Sequence, residues 1–159
     1  MNLQSAEILA LRLFAQHDLS HWNFKFDRAK RRFGCCNFST RTISLSKILT
    51  ELNAPEKVRD TLLHEIAHAL VGPRHGHDSL WKKQVRALGG RPAARFRETE
   101  VTVPRSKFVA FCPHCQKTFP TFRTRKNVAC RACCREFNRG KFSRKFLLEF
   151  KSADAQRAR

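Results

Sequence analysis

The sequence contains no tyrosine, so no reaction in this protein can use a phenol hydroxyl to stabilise an oxyanion. It also lacks a long apolar run. The most hydrophobic N-terminal segment, residues 6–15 (AEILALRLFA), is too short to cross a bilayer and is interrupted by Glu7 and Arg12. We therefore predict an amphipathic first helix with one core face, and no membrane partner.

Acidic residues are scarce as well. The chain has 13 Asp and Glu against 32 Lys and Arg, which gives a formal net charge of +19 and a pI of about 10.7. From Arg105 onward only three acids occur, at Glu136, Glu149 and Asp154. Basic surfaces attract polyanions by releasing their condensed counterions. The charge balance therefore predicts a nucleic-acid partner.

Phenylalanines alternate with the cations of the C-terminal part, at positions 119, 122, 137, 142 and 146. Aromatic rings among cations can stack unpaired bases while the cations follow the phosphates. We expect most of these rings to form a small core and the cations to make the contacts. The predicted nucleic-acid contacts are Arg123, Arg125, Lys126, Arg131, Arg135, Arg139, Lys141, Arg144 and Lys145.

Residues 64–68 read HEIAH. Two histidines four residues apart lie on one face of a helix, so both imidazoles can reach a single metal ion. The glutamate between them lies beside that metal and can accept a proton from a metal-bound water. This pattern predicts a catalytic zinc held by His64 and His68, with Glu65 as the catalytic base.

The surrounding residues predict one helix over Pro55–Gly72. Proline suits a first helical turn, and the glycine followed by Pro73 ends the helix. A helical wheel separates the His/Glu face from an apolar core face. The predicted core residues of this helix are Val58, Leu62, Leu63, Ile66, Ala69 and Leu70.

A catalytic zinc needs a third protein ligand. Residues 79–97 contain no acid, which excludes a glutamate on the following helix, and the spacing after His68 does not fit the HExxHxxGxxH pattern. The candidates that remain are His75, His77 and Asp78. We favour His77, which is predicted to open a second helix over His77–Leu88, and keep His75 as the alternative.

These motifs together resemble the SprT-like zinc metalloprotease family, which includes the Spartan proteases. The resemblance covers roughly Ala6–Phe150 and depends on HEIAHAL, on GPRHGHDSLWKKQVRALGG and on two CxxC pairs. It implies a third ligand four residues before an aromatic residue, which matches His77 and Trp81. It also implies a substrate class, namely proteins bound or crosslinked to DNA, with DNA binding (possibly of single strands) stimulating cleavage.

Two CxxC pairs, at residues 112–115 and 130–133, have the spacing of a four-cysteine zinc ribbon. Such a site is closed and structural. We predict Cys112, Cys115, Cys130 and Cys133 as its ligands, although Cys134 could substitute for its neighbour. The total of seven cysteines is odd and no secretory signal is apparent, so disulfides are disfavoured and a cytoplasmic location is expected, nucleoid-associated, or nuclear in a eukaryote. Cys35 and Cys36 are interpreted as small buried hydrophobes.

The predicted fold class is α+β, with a small zincin-like metalloprotease domain over residues 1–90 and a β-rich zinc ribbon over residues 108–150. A linker or edge segment (91–107) joins them, and residues 151–159 form a tail. We expect a first helix near 5–17, strands between 22 and 45, and a short helical segment near 46–52. The protein is expected to be a monomer.

The predicted activity is zinc-dependent peptide-bond hydrolysis, with one catalytic and one structural zinc. Because tyrosine is absent, an oxyanion donor other than zinc must be His75, Arg74 or a backbone amide. Two other functions stay open. The chain could be a DNA- or RNA-binding ribbon protein with a silent HExxH domain, or a zinc hydrolase that acts on RNA. Glu65 disfavours the second of these, because the rRNA-cleaving zinc family lacks a glutamate after its first histidine.

Overall fold

The computed structural model describes residues 1–94 and 100–153, and the chain divides into two compact units, Met1–Pro104 and Arg105–Arg159. Helices and small sheets occur in both units, which confirms the α+β class. Residues 91–94 and 100–104 of the predicted linker fall in the first unit, while 95–99, together with 154–159 of the predicted tail, lie outside the described residues. Within the described ranges, no helix is long and apolar enough to span a membrane.

The described residues of the first unit form four helices: α1 (Leu3–Gln16), α2 (Lys47–Leu52), α3 (Pro55–Val71) and α4 (Ser79–Ala87). Side chains fix their starts. Asn2 accepts the Ser5 N–H at 2.7 Å at the head of α1, and Ser46 accepts the Leu49 N–H at the head of α2. At the other end of α3, Gly72 has a φ of +88°, a conformation that favours glycine and stops the helix as predicted.

The three strands of this unit are β1 (Asn23–Asp27), β2 (Gly34–Asn37) and β3 (Thr42–Ser46). Their order in the sheet is β1-β3-β2, with β1 parallel and β2 antiparallel to the central β3. Strand β2 therefore lies at an edge and carries the two adjacent cysteines. Both are half-buried rather than buried, and Cys36 packs against the core.

The core lies where α1 and α3 pack against the sheet. Phe14 of α1, Ile43 and Leu45 of β3, and Leu62 and Ile66 of α3 are buried there. The predicted core face of α3 is correct except at Leu70, which is 38% exposed. Leu70 lies in the last turn of the helix, and a helical wheel gives the direction of a side chain but not whether a neighbour covers it.

The second unit is a three-stranded antiparallel sheet of order β5-β4-β6, formed by β4 (Phe108–Phe111), β5 (Thr118–Thr121) and β6 (Glu149–Ser152). It also contains a helix, α5 (Arg131–Phe137), and a short 3₁₀ turn at Arg144–Phe146. The helix was not predicted. It has only seven residues, and such short helices depend on tertiary packing, here the burial of Cys133 and Cys134, more than on local propensity.

Candidate metal centres

Three histidines of the first unit converge at their Nε2 atoms. His64 and His68 lie one turn apart on α3, and His77 precedes α4. The Nε2 atom of His77 lies 3.1 Å from that of His64 and 3.2 Å from that of His68. The three ring nitrogens form one cluster that can accept a metal ion, the "histidine cluster" below.

Backbone carbonyls orient two of these rings. The carbonyl of Ala93 accepts a hydrogen bond from the imidazole of His64, and the carbonyl of His75 accepts one from His68. Since Nε2 faces the cluster, Nδ1 is the atom left to donate. Burial, with the neighbouring imidazoles, lowers the pKa of His64 from 6.5 to about 4 and also lowers the pKa of His68. Both rings are therefore neutral at pH 7, with the Nε2 lone pair directed into the cluster.

The spacing of the histidine cluster fits zinc. Ligands around a tetrahedral zinc with Zn–N bonds of about 2.0–2.1 Å lie about 3.3–3.4 Å apart. The two distances from His77, 3.1 and 3.2 Å, are close to that value. Three histidine nitrogens also form the donor set of a catalytic zinc with one coordination position left for water.

The start of α4 explains why His77 and not His75 joins the cluster. Asp78 caps the helix by accepting the Trp81 N–H at 3.0 Å, so His77 lies before the helix rather than opening it as predicted. The same carboxylate pairs with His75 Nδ1 at 2.7 Å, which holds that ring away from the other histidines. Trp81, fully buried, packs against all three cluster rings with centroids 4.5–5.3 Å apart.

Glu65 is buried, at 7% exposure, on the side of α3 that faces strand β2. Burial raises the pKa of its carboxyl from 4.5 to about 7, while the Cys36 N–H, which donates to it, and the charge of Arg32 both favour the ionised form. A carboxyl with a pKa near neutrality exchanges a proton readily at physiological pH. The burial and pKa of Glu65, which adjoins His64 in the chain, thus suit the general base that the sequence predicts.

Gly34 of β2 makes room for this carboxylate. A Cβ atom at this position would lie 2.6 Å from Glu65 Oε1 and 2.8 Å from Thr61 Cγ2, closer than real Cβ contacts. Neither Gly34 nor the carbonyls of Ala93 and His75 could be found from sequence motifs. Their roles depend on contacts between segments that are remote in the chain or on backbone atoms, which no residue type encodes.

We expect Gly34→Ala to displace the Glu65 carboxylate and to lower the cleavage rate about a hundredfold, the effect of a displacement of about 1 Å in a catalytic group. Zinc content is expected to stay unchanged, because the three histidines are not touched. Cys35→Ala is the matched control, since adjacent side chains of a strand point to opposite faces. Full activity of Gly34→Ala with normal zinc content would contradict this role.

The four predicted cysteine ligands come together in the second unit. Cys112 Sγ lies 3.8 Å from Cys133 Sγ, and Cys115 Sγ lies 3.8 Å from Cys130 Sγ. Disulfide sulfurs are about 2.05 Å apart, whereas sulfurs around a zinc with Zn–S bonds of about 2.3 Å are separated by about 3.8 Å. The Lys117 N–H, directed at Cys115, lowers the pKa of that thiol to about 7. The sulfur cluster fits a closed zinc site of the ribbon type.

Cys134 is buried but takes no part in the sulfur cluster, so adjacent cysteines provide a matched pair of substitutions. Cys133→Ser is expected to remove one zinc per chain and to unfold the second unit, because small zinc-bound units lose most of their stability without the metal. Cys134→Ser is expected to keep both zinc ions. Elemental analysis of the purified variants measures this directly, and equal loss in both would contradict the ligand assignment.

The nine predicted nucleic-acid contacts are all exposed in the second unit. The expectation that most of its phenylalanines form a core is wrong. Of the five, only Phe146 is buried, while Phe119, Phe137 and Phe142 are 38%, 57% and 56% exposed. The buried sulfur cluster, together with Phe146, takes the place of a larger apolar core. Several rings thus lie on a surface that also carries the cations.

Comparison with known proteins found a matching family and similar solved structures. The crystal structure of the metallopeptidase zymogen jannalysin, from Methanocaldococcus jannaschii, is 18% identical with a TM-score of 0.46, covering 60% of this chain and 85% of that one. No curated protein matches the sequence. The family model of the SprT-like family matches residues 4–105, more than half of the chain, including the whole histidine cluster. The chain belongs to the SprT-like family.

Proposed function

We propose that this protein is a zinc-dependent endopeptidase that acts on DNA-associated or DNA-crosslinked proteins and is stimulated by DNA. Family membership and the histidine cluster support a zinc metalloprotease. The observation that carries the proposal is that this cluster occurs together with the buried carboxyl of Glu65, which supplies both a metal site and a base.

In the proposed reaction, His64, His68 and His77 would hold the catalytic zinc. When bound, zinc polarises a peptide carbonyl and lowers the pKa of water to about 7. Glu65, positioned by the Cys36 N–H, accepts the proton of the attacking water at its carboxylate and returns it to the leaving amine. The carbonyls of Ala93 and His75 keep His64 and His68 in the required tautomer.

The second unit supports the DNA part of the proposal. Phe137 and Phe142 are more than half exposed, so covering their rings with a partner would be favourable, and they lie in a segment rich in exposed arginine and lysine. Stacking of unpaired bases on exposed rings, with cations following the backbone, is the usual chemistry of single-strand binding. Such an interface would bring the enzyme to proteins held on DNA.

A comparison of three forms of one basic substrate protein tests this function. The protein is offered free, mixed with single-stranded DNA, and covalently crosslinked to that DNA, and fragments are followed by gel electrophoresis and mass spectrometry. We expect the crosslinked form to be cleaved fastest and Phe137→Ala/Phe142→Ala to reduce that advantage. Equal rates for all three forms would indicate a general peptidase. Labelled RNA is incubated in parallel. Cleavage of this RNA alone would indicate the RNA hydrolase, and DNA binding without any cleavage would indicate a silent binding protein.

A further inference from the structure

A second basic surface lies in the first unit, apart from the nine contacts predicted for the ribbon. The connection between β1 and β2 contains Arg28, Lys30, Arg31 and Arg32, so four of the five residues 28–32 are cationic. We call these residues the "basic loop". Arg28, Arg31 and Arg32 are exposed, and Lys30 is half-buried. The neighbouring acid, Asp27, is held by Arg32 through an ion pair of 2.8 Å.

The backbone of the basic loop is fixed. Asp27 accepts the Ala29 N–H at 2.9 Å, and the same carboxylate accepts the Ser44 hydroxyl at 2.9 Å. Ser46 donates its hydroxyl to the Ala29 carbonyl at 2.6 Å, and its own N–H donates to the Phe33 carbonyl at 2.7 Å. A loop that is already ordered loses less conformational entropy when it binds a ligand than a mobile chain does.

The basic loop leads directly into β2, the strand that contacts the catalytic base Glu65. Two residues beyond Arg32, Gly34 lies against the Glu65 carboxylate, and Cys36 donates its N–H to the same group. The basic loop and the two residues that position Glu65 therefore belong to one continuous segment of the chain. An anion bound at the loop would lie at the end of the strand that positions Glu65.

We propose that the basic loop binds the phosphodiester backbone of nucleic acid and holds it beside the active site. This inference rests on the proposed function and names a contact through which DNA stimulates it. Guanidinium groups pair with phosphate oxygens in a bidentate manner, and lysine adds a point charge. The cations of the basic loop supply the phosphate contacts, and Arg32 is left unchanged in the test because its charge acts on Glu65.

The test uses the full-length zinc-bound protein with Arg28→Gln/Lys30→Gln/Arg31→Gln, single-stranded oligonucleotides of DNA and RNA with one sequence, and a basic protein substrate. Each phosphate contact on a single strand contributes about 0.7 to the slope of log Kd against log salt, so the slope should fall by about two on both nucleic acids. Cleavage in the presence of DNA should fall about tenfold or more at moderate salt. Cleavage without nucleic acid should stay within about twofold, because the three substitutions leave the histidine cluster, Glu65 and Arg32 unchanged.

Two further variants serve as controls. One tests whether the effect depends on charge in the basic loop and not on the total charge of the protein, and the other tests whether it results from misfolding. Arg12→Gln/Arg41→Gln/Arg59→Gln removes the same charge from exposed sites in α1, the β2–β3 turn and α3, and should keep the larger part of the slope. Arg28→Lys/Lys30→Arg/Arg31→Lys keeps the charge and should keep the salt slope, which depends on the number of charges and not on bidentate geometry. Equal losses in the loop and control variants, or failure of the charge-preserving variant, would overturn the inference.

The outcomes also distinguish this inference from the proposed function. If wild type shows no DNA stimulation, the proposed function fails, while the salt slopes still report whether the loop binds nucleic acid. If wild type is stimulated and the loop variant is stimulated equally, only the inference fails. A loss of cleavage without nucleic acid as large as the loss with DNA would assign the loop to the protein substrate and overturn the nucleic-acid contact.

Discussion

Glu65→Gln is expected to lower the rate of protein cleavage by about a thousandfold, within the range that general acid–base catalysis contributes. Glutamine has the same shape and can still accept the Cys36 N–H with its carbonyl oxygen, but it cannot take a proton from water. The three cluster histidines keep their Nε2 atoms free, so zinc binding should remain. The measurement is cleavage of a histone with and without single-stranded DNA, wild type and variant side by side.

The controls for this substitution are the properties of the protein that it should leave unchanged. Zinc content, DNA affinity and far-UV circular dichroism of Glu65→Gln should match wild type. If the variant cleaves at the wild-type rate, Glu65 is not the base, and another group must move the proton. If neither protein cleaves under any metal or DNA condition while both bind DNA, the histidine cluster is catalytically silent.

The raised pKa of Glu65 also predicts how stability depends on pH in the zinc-free protein. Below pH 4.5 this carboxyl is protonated in both the folded and the unfolded chain. Between pH 4.5 and about 7 the unfolded chain releases the proton first, so the stability contributed by the neutral carboxyl is lost as pH rises through the folded-state pKa of about 7. The shift corresponds to about 3 kcal/mol of unfolding free energy, as an order of magnitude.

Glu65→Gln removes this titration. Zinc-free Glu65→Gln should therefore be more stable than zinc-free wild type at pH 8, and the difference should shrink towards pH 5. Urea unfolding followed by tryptophan emission measures it in the first unit alone, since both tryptophans, Trp22 and Trp81, lie there. A difference that does not change with pH would mean that the carboxyl is not desolvated as its burial indicates.

Local patterns were enough to predict the helices of the first unit, but not α5 in the second. The apolar spacing and end signals around α3, with Pro55 at one end and Gly72 at the other, predict a helix whose bounds agree within one residue. The order of the strands could not be obtained in this way. Strand β1 pairs in parallel with β3, although β2 lies between them in the sequence. An alternating pattern specifies the two faces of a strand but not which strands lie beside it.

The same distinction between local and long-range features applies to the candidate sites. Ligand types at fixed spacing, as in residues 64–68 and the two CxxC pairs, are encoded locally, and the structure brings these side chains together. What orients them is not encoded locally. The Ala93 carbonyl on His64 and the absent side chain of Gly34 at Glu65 join segments about 30 residues apart, and a backbone atom can be recruited from any residue type.

Substitution of the two candidate third ligands should have opposite consequences. His77→Ala removes a nitrogen that lies 3.1–3.2 Å from both other cluster atoms, so two donors remain where a catalytic zinc uses three. We expect it to leave one zinc per chain, in the sulfur cluster, and to abolish cleavage. His75→Ala removes only the pairing with Asp78, while the His75 carbonyl that accepts from His68 stays in place. Its zinc affinity should fall by no more than about tenfold, at the low end of the effect of groups that orient ligands.

The fluorescence of Trp81 measures metal binding to the histidine cluster in each variant, independently of cleavage activity. Its ring packs against the rings of His64, His68 and His77, so cobalt added to the zinc-free protein should quench its emission by binding within a few ångströms. Wild type and His75→Ala should both be quenched at low cobalt concentration, and His77→Ala should not be. Quenching of His77→Ala but not of His75→Ala would transfer the third ligand to His75. It would also require the His75 ring to move into the cluster from the position in which its pair with Asp78 now holds it.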